Sequence, residues 1–123
     1  MEMAAYLRRV VTVLAGDIGI RSFQNRDSLK KTADYLTGEL SSFGYETERQ
    51  PFLFRGHTYE NLIAERRGES SPEKILIIGA HYDTVRTTYG ADDNASGIAG
   101  LLGLARGLAG SRLSKTVRFA AFG

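Results

Sequence analysis

Apolar residues along the first third of the chain recur at helical spacing. Leu7, Val10, Val11 and Leu14 predict a helix across Glu2–Ala15 with one buried face, stopped by Gly16 and Gly19. A second helix is expected after Asp27, whose side chain can cap it, with Leu29, Ala33, Leu36, Leu40 and Phe43 on one stripe and Gly44 as terminator. The period then changes. Tyr45–Phe54 and Thr58–Arg66 read as strands joined through Arg55-Gly56-His57, a hairpin link, and Glu65–Pro72 reads as a polar surface loop. The β-branched run Lys74–Ala80 fits a strand buried on both faces, which requires helices above and below it.

Asn94–Ala109 again has helical period, through Ile98, Leu101, Leu102, Ala105 and Leu108, yet holds Gly97, Gly100, Gly103 and Gly107. An interior glycine costs a helix roughly 1 kcal/mol relative to alanine, so four of them imply close backbone approach against a sheet. Thr116–Phe122 reads as a further strand. Two helices, a hairpin and a strand–helix–strand unit with right-handed crossover add up to an α/β fold, a three-layer sandwich with a mixed sheet flanked by helices.

Composition narrows the chemistry. The chain has 123 residues, 42% hydrophobic and 24% charged, which suits one core-forming domain rather than a disordered segment. There is no Cys, so disulfides and thiolate ligands are excluded, and any metal must be held by His, Asp or Glu. The 16 basic residues exceed the 14 acidic ones by two and are scattered, which argues against a nucleic-acid partner. No apolar run approaches the ~20 residues of a membrane span. Arg8 and Arg9 precede a short apolar stretch with no clean cleavage site, so it is read as the opening helix and not a signal peptide.

In α/β sheets, ligands bind beyond the carboxyl ends of strands. The Ile75–Gly79 strand runs straight into His81-Tyr82-Asp83, and two positions apart on an extended chain His81 and Asp83 point to one side. Asp83 can then accept a hydrogen bond from one imidazole nitrogen while the other binds a metal. Asp92-Asp93-Asn94 open the glycine-rich helix; a cap explains one such residue but not three. His57 is expected in an exposed turn. Ser96 has no partner base in a triad pattern. Tyr82 and Tyr89 could line a substrate mouth but are equally ordinary at a half-exposed edge.

His81-Tyr82-Asp83-Thr84-Val85, then Gly90–Gly97, then Arg118–Gly123 resemble, in order, the co-catalytic zinc aminopeptidases, the family that includes glutamate carboxypeptidase-type enzymes and glutaminyl cyclases. Tyr59–Ala64 and Gly44–Phe52 look like the same family, so the resemblance covers nearly the whole chain. It implies that His81 ligates one zinc, that Asp93 bridges two, that Asp83 orients His81, and that the Asp93–Asn94 peptide is cis. It further implies hydrolysis of N-terminal residues of peptide substrates by a metal-activated water between zincs about 3.5–4 Å apart.

In the family the general base comes from a Glu-Glu pair just after the strand matched here by Val117–Phe122, and further ligands follow. The chain stops at Gly123, beside that point. Residues 1–123 are accordingly expected to be the N-terminal portion of one zinc-peptidase domain that alone binds zinc weakly and hydrolyses nothing. The final strand is expected to be an apolar sheet edge, open to self-association. The alternatives are a glutaminyl cyclase or carboxypeptidase of the same fold and, from another class, a non-catalytic interaction domain. Intact His81, Asp83 and Asp93 weigh against the last.

Overall fold

The structure is a computed structural model that describes residues Met1–Gly123. In chain order it comprises α1 (Met3–Val11), continued by a wider π-helical segment Thr12–Ile18, then α2 (Arg26–Ser42), β1 (Thr47–Phe54), β2 (His57–Arg66), β3 (Ser71–His81), a short turn at Ala91–Ala95, α3 (Ser96–Leu108) and β4 (Lys115–Phe122). No helix is long and apolar enough to cross a membrane.

On α1 and its extension the fully buried row is Tyr6, Val10 and Leu14, spaced by four, with Leu7 and Val11 half-buried beside it. The Tyr6 hydroxyl donates to Glu39 of α2 at 3.0 Å, so an aromatic that the aliphatic pattern omits joins the two helices. Burial and the neighbouring Glu39 carboxylate both push the Tyr6 hydroxyl well above the ordinary tyrosine range.

Helix α2 buries Leu29, Ala33, Leu36 and Leu40 as its stripe predicts. Its start differs from expectation. Asn25, not Asp27, holds the capping position, and its side chain is engaged by the Ser22 hydroxyl at 2.5 Å; Asp27 lies in the first turn, where a carboxylate favours the positive end of the helix dipole. The C-terminus closes as expected. Gly44 adopts a left-handed φ of 96°, and the Gly44 and Tyr45 amides bond back to the Ser41 and Leu40 carbonyls at 3.0 Å each, satisfying the last turn.

Arg55 and Gly56, with φ of 50° and 79°, form a two-residue turn of the kind that matches strand twist, and His57 is the first residue of β2, exposed and paired with Phe54. The sheet order is β1-β2-β4-β3, with the first two pairings antiparallel and β3 parallel to β4 through α3. This is the mixed α/β sheet anticipated, with two strand assignments corrected. β4 has neighbours on both sides and is central, not an edge. β3 is the edge, and Ile75, Leu76 and Ile77 are 45%, 56% and 58% exposed rather than buried on both faces.

The helices cover one face, which leaves Ile77 uncovered, while Leu76, in register with Val117 on the covered face, is exposed by its place on the edge strand. Leu62, Ala64, Val117, Phe119 and Ala121 share a single core with Ile98, Leu101, Leu102 and Ala105 of α3. The opposite face, with Ile63, Ile77 and Phe122, borders an open concavity. Tyr45 fastens the layers: its hydroxyl donates to the Ala105 carbonyl at 2.7 Å and its ring meets Phe119 edge-on at 5.6 Å.

The α3 glycines do not serve the sheet. A Cβ at Gly97 would sit 2.3 Å from the Asn94 carboxamide, and one at Gly103 would sit 2.9 Å from Leu7 of α1, whereas Gly100 and Gly107 face open space. Close approach therefore explains two of the four, and the partners are the preceding turn and α1. Gly100→Ala and Gly107→Ala are each expected to stabilise the protein by about 0.5–1 kcal/mol through helix propensity, while Gly103→Ala, which must displace Leu7, gains less or loses; urea denaturation of the three variants reads the difference.

Candidate metal centre

His81 is the last residue of β3, at the carboxyl end of the parallel pair and in register with Phe122. Its Nδ1 lies 3.1 Å from Asp83 Oδ1 and 3.1 Å from the Asp83 carbonyl. Its Nε2 lies 3.1 Å from Asp93 Oδ1. Strand spacing places His81 and Asp83 together, and the fold brings Asp93, which the resemblance pairs with His81, to the ring from the turn before α3.

That turn divides labour among its three polar residues. Asp93 and Asn94 leave helical geometry, with φ/ψ of −116°/89° and −138°/38°, and the peptide between them is cis, as the resemblance implies. Asn94 Oδ1 accepts the Gly97 amide at 3.1 Å and so caps α3, which is why no Cβ fits at Gly97. Ser96 is spent locally: its hydroxyl donates to the Asp92 carbonyl at 2.6 Å. Asp93 is left facing His81, and its side chain is 76% exposed.

The arrangement poses an electrostatic question. With Nδ1–H donating to Asp83, Nε2 presents a lone pair, and it faces a carboxylate oxygen. Two acceptors at 3.1 Å repel unless a cation or a proton lies between them. An imidazole nitrogen and a carboxylate oxygen suit zinc, and bonds of about 2.0–2.2 Å to one ion put two donors at about this separation. The donor set therefore fits the metal implied by the motifs. No group of three or more His, Asp or Glu side chains gathers at one point.

The pair opens onto a depression bordered by Phe23, Thr84, Val85 and Arg86. Of the two tyrosines, Tyr82 turns inward, 2% exposed, with its hydroxyl donating to the Glu60 carbonyl at 2.6 Å. Tyr89 is exposed and lies against Gly19. The larger concavity, over the open sheet face, contains none of the three candidate residues.

Sequence reading missed Arg21. It is completely buried, and its guanidinium donates to five carbonyls: Tyr82 from Nε, Leu14, Gly19 and Tyr89 from Nη1, and Gly90 from Nη2, at 2.7–3.1 Å. Nothing in the local pattern marks it, since a lone arginine in a loop is ordinarily solvated.

The α/β domain thus carries an imidazole–carboxylate pair at the carboxyl end of a parallel strand. The chain belongs to peptidase family M28, whose model matches residues 61–123. It is 36% identical to leupeptin-inactivating enzyme 1 of Streptomyces exfoliatus over 99% of this chain and 28% of that protein. It is 38% identical to the uncharacterized protein YfbL of Escherichia coli strain K12 over 81% of this chain and 33% of that one. The match thus spans about a third of these relatives' length. The fold is shared with a zinc aminopeptidase from Bacillus subtilis, TM-score 0.89 at 15% identity, covering 100% of this chain and 63% of that one. A glutaminyl cyclase from Porphyromonas gingivalis superposes with TM-score 0.76 at 28% identity, covering 98% and 43%.

Tyr82 gives the site's foundation a pH signature. Burial, then the negative charges of Glu60 and Asp83, hold its hydroxyl well above the ordinary tyrosine range; burial pushes Tyr35 up to about 12. A group raised in the folded state contributes stability that is complete below its unfolded value of about 10 and is lost as pH rises through the folded value. Unfolding free energy is expected to hold level to pH 9 and to fall above pH 10. Tyr82→Phe should cost about 1 kcal/mol at neutral pH and flatten that alkaline fall, measured by urea titrations across pH.

Proposed function

We propose that residues 1–123 form the N-terminal portion of a zinc exopeptidase domain of aminopeptidase type, in which His81 and Asp93 hold metal and Asp83 orients His81. The observation that carries this reading is the His81 Nε2–Asp93 Oδ1 approach of 3.1 Å with Asp83 behind the ring. When bound, zinc supplies a polarised carbonyl and an activated water for peptide hydrolysis. The chain's own groups do the positioning. Asp83 accepts Nδ1–H and fixes the tautomer; Asp93, freed from capping by Asn94, turns its carboxylate to the ring. Phe23 and Val85 offer apolar surface at the mouth, 39% and 63% exposed, against which a peptide side chain can rest.

Two protein donors on the Nε2 side fall short of the three usual in a catalytic zinc site. Weak metal binding is therefore the reading for this chain, and no hydrolysis. Zinc titration should give weak binding that His81→Ala abolishes and that Asp83→Asn weakens by about 10–100-fold. Because all three side chains are partly exposed, circular dichroism should stay unchanged; tight binding indifferent to His81 would refute the assignment.

A chromogenic aminoacyl anilide should release no product above background. Release by the purified chain that disappears in His81→Ala would overturn the expectation of inactivity while supporting the site. The cyclase neighbours give a second reading of the same donors, in which an N-terminal glutaminyl peptide is cyclised rather than hydrolysed. A longer form that forms pyroglutamyl product and leaves the anilide intact would favour it.

A further inference from the structure

We propose that Arg21 is the positioning residue of the His81–Asp93 pair, its buried guanidinium setting where the strand end that carries His81 and the turn that carries Asp93 stand relative to each other. The functional part of this rests on reading that pair as a metal site; the positioning part does not.

His81 and Asp93 come from separate segments, and both side chains are exposed. Their placement has to come from the backbone beneath them. On the strand side, Arg21 Nε holds the carbonyl of Tyr82, the residue between His81 and Asp83, at 2.9 Å. On the turn side, Nη1 holds the Tyr89 carbonyl at 2.9 Å and Nη2 holds that of Gly90, the residue at which the Asp93 turn begins, at 3.1 Å. A guanidinium is a planar fork with donors in fixed directions, so holding Tyr82 and Gly90 on one fork fixes their separation.

The Arg21 backbone closes a second clamp. Its amide donates to Thr84 Oγ1 at 3.0 Å, and its carbonyl accepts the Thr84 amide at 3.0 Å. Asp83 is thereby bracketed by two residues that both rest on Arg21.

An arginine serving only the end of the π-helical segment would need only the Leu14 and Gly19 carbonyls. Three of its five side-chain bonds go instead to the ligand-bearing segments. No carboxylate forms an ion pair with it, so its donors are committed to loop backbone. Gly90 is shaped to this seat: at φ +66° an added Cβ would lie 2.9 Å from Arg21 Nη2, 2.8 Å from the Asp93 carbonyl and 2.3 Å from Thr84 Cγ2.

The test compares Arg21→Lys, which keeps the charge and removes the fork, and Gly90→Ala, which crowds the seat, with Leu36→Ala, a core lesion in α2. Amide hydrogen exchange reads positioning without metal, and cobalt titration followed by its visible absorption reads the site. Both site variants are expected to speed exchange at Thr84 and Ala95 at least tenfold relative to amides in β2 and β4, and to weaken cobalt binding at least tenfold. Leu36→Ala should lower the melting temperature and leave cobalt affinity, measured where the chain is folded, unchanged.

Exchange that rises uniformly, as in Leu36→Ala, would overturn the proposal and leave Arg21 a structural residue, as would wild-type cobalt affinity in the site variants. Localised exchange in a chain whose wild type binds no cobalt would uphold positioning by Arg21 and reject the metal reading. If Arg21→Lys does not fold, Gly90→Ala decides by the same criteria.

Discussion

Arg21 places a permanent positive charge where no solvent reaches it, and the molecule around it is arranged to make that tolerable. A buried ion costs several kcal/mol even after relaxation, and here no carboxylate pairs with it. Five carbonyls replace its hydration shell. They are drawn from the π-helical segment and its end, the exit of β3 and the loop before α3, so the loss of any one segment would take acceptors from a buried charge. Desolvation lowers the guanidinium pKa and the Asp83 carboxylate opposes that shift, yet an arginine stays charged in either case. The demand for acceptors thus ties three otherwise independent loops into one body.

The candidate site lies just above this knot and inherits its order. His81 and Asp93 are too exposed to be fixed by packing, and an exposed ion pair contributes at most about 1 kcal/mol. Their alignment depends on backbone held from below and on Asn94 taking the capping role that would otherwise compete for Asp93. One buried layer of hydrogen bonds and one exposed layer of chemistry is a common division in enzymes, where rigid support keeps reactive groups accessible.

Much of the fold was legible from pattern alone, because helices and strands announce themselves by the period at which they bury side chains. The α2 stripe, the Gly44 terminator and the hairpin all appear as read. Which elements become neighbours is not carried by that period. Lys74–Ala80 has the composition of an interior strand, yet strand order puts it at the edge and gives the interior to β4. Helical period likewise points the α3 glycines at the sheet, whereas Gly97 meets the Asn94 cap, Gly103 meets α1, and Gly100 and Gly107 face open space. The pattern offers Asp27 as the cap, yet the helix starts two residues earlier than that cap implies, at Arg26 with Asn25 before it.

The sequence by itself determined which residue types could hold a metal, where along the chain they fall and the family to which their order belongs. Those properties are local, or are carried by short motifs that survive without knowledge of packing. Only the tertiary structure decided that Asn94 takes the capping bond and leaves Asp93 facing His81, that Tyr82 turns inward as support, and that Arg21 is buried beneath them. Each of these depends on chain segments distant in sequence arriving at one place. Hydrophobic periodicity carries no information about where a charged loop residue will find its acceptors; the closing of the sheet around it does.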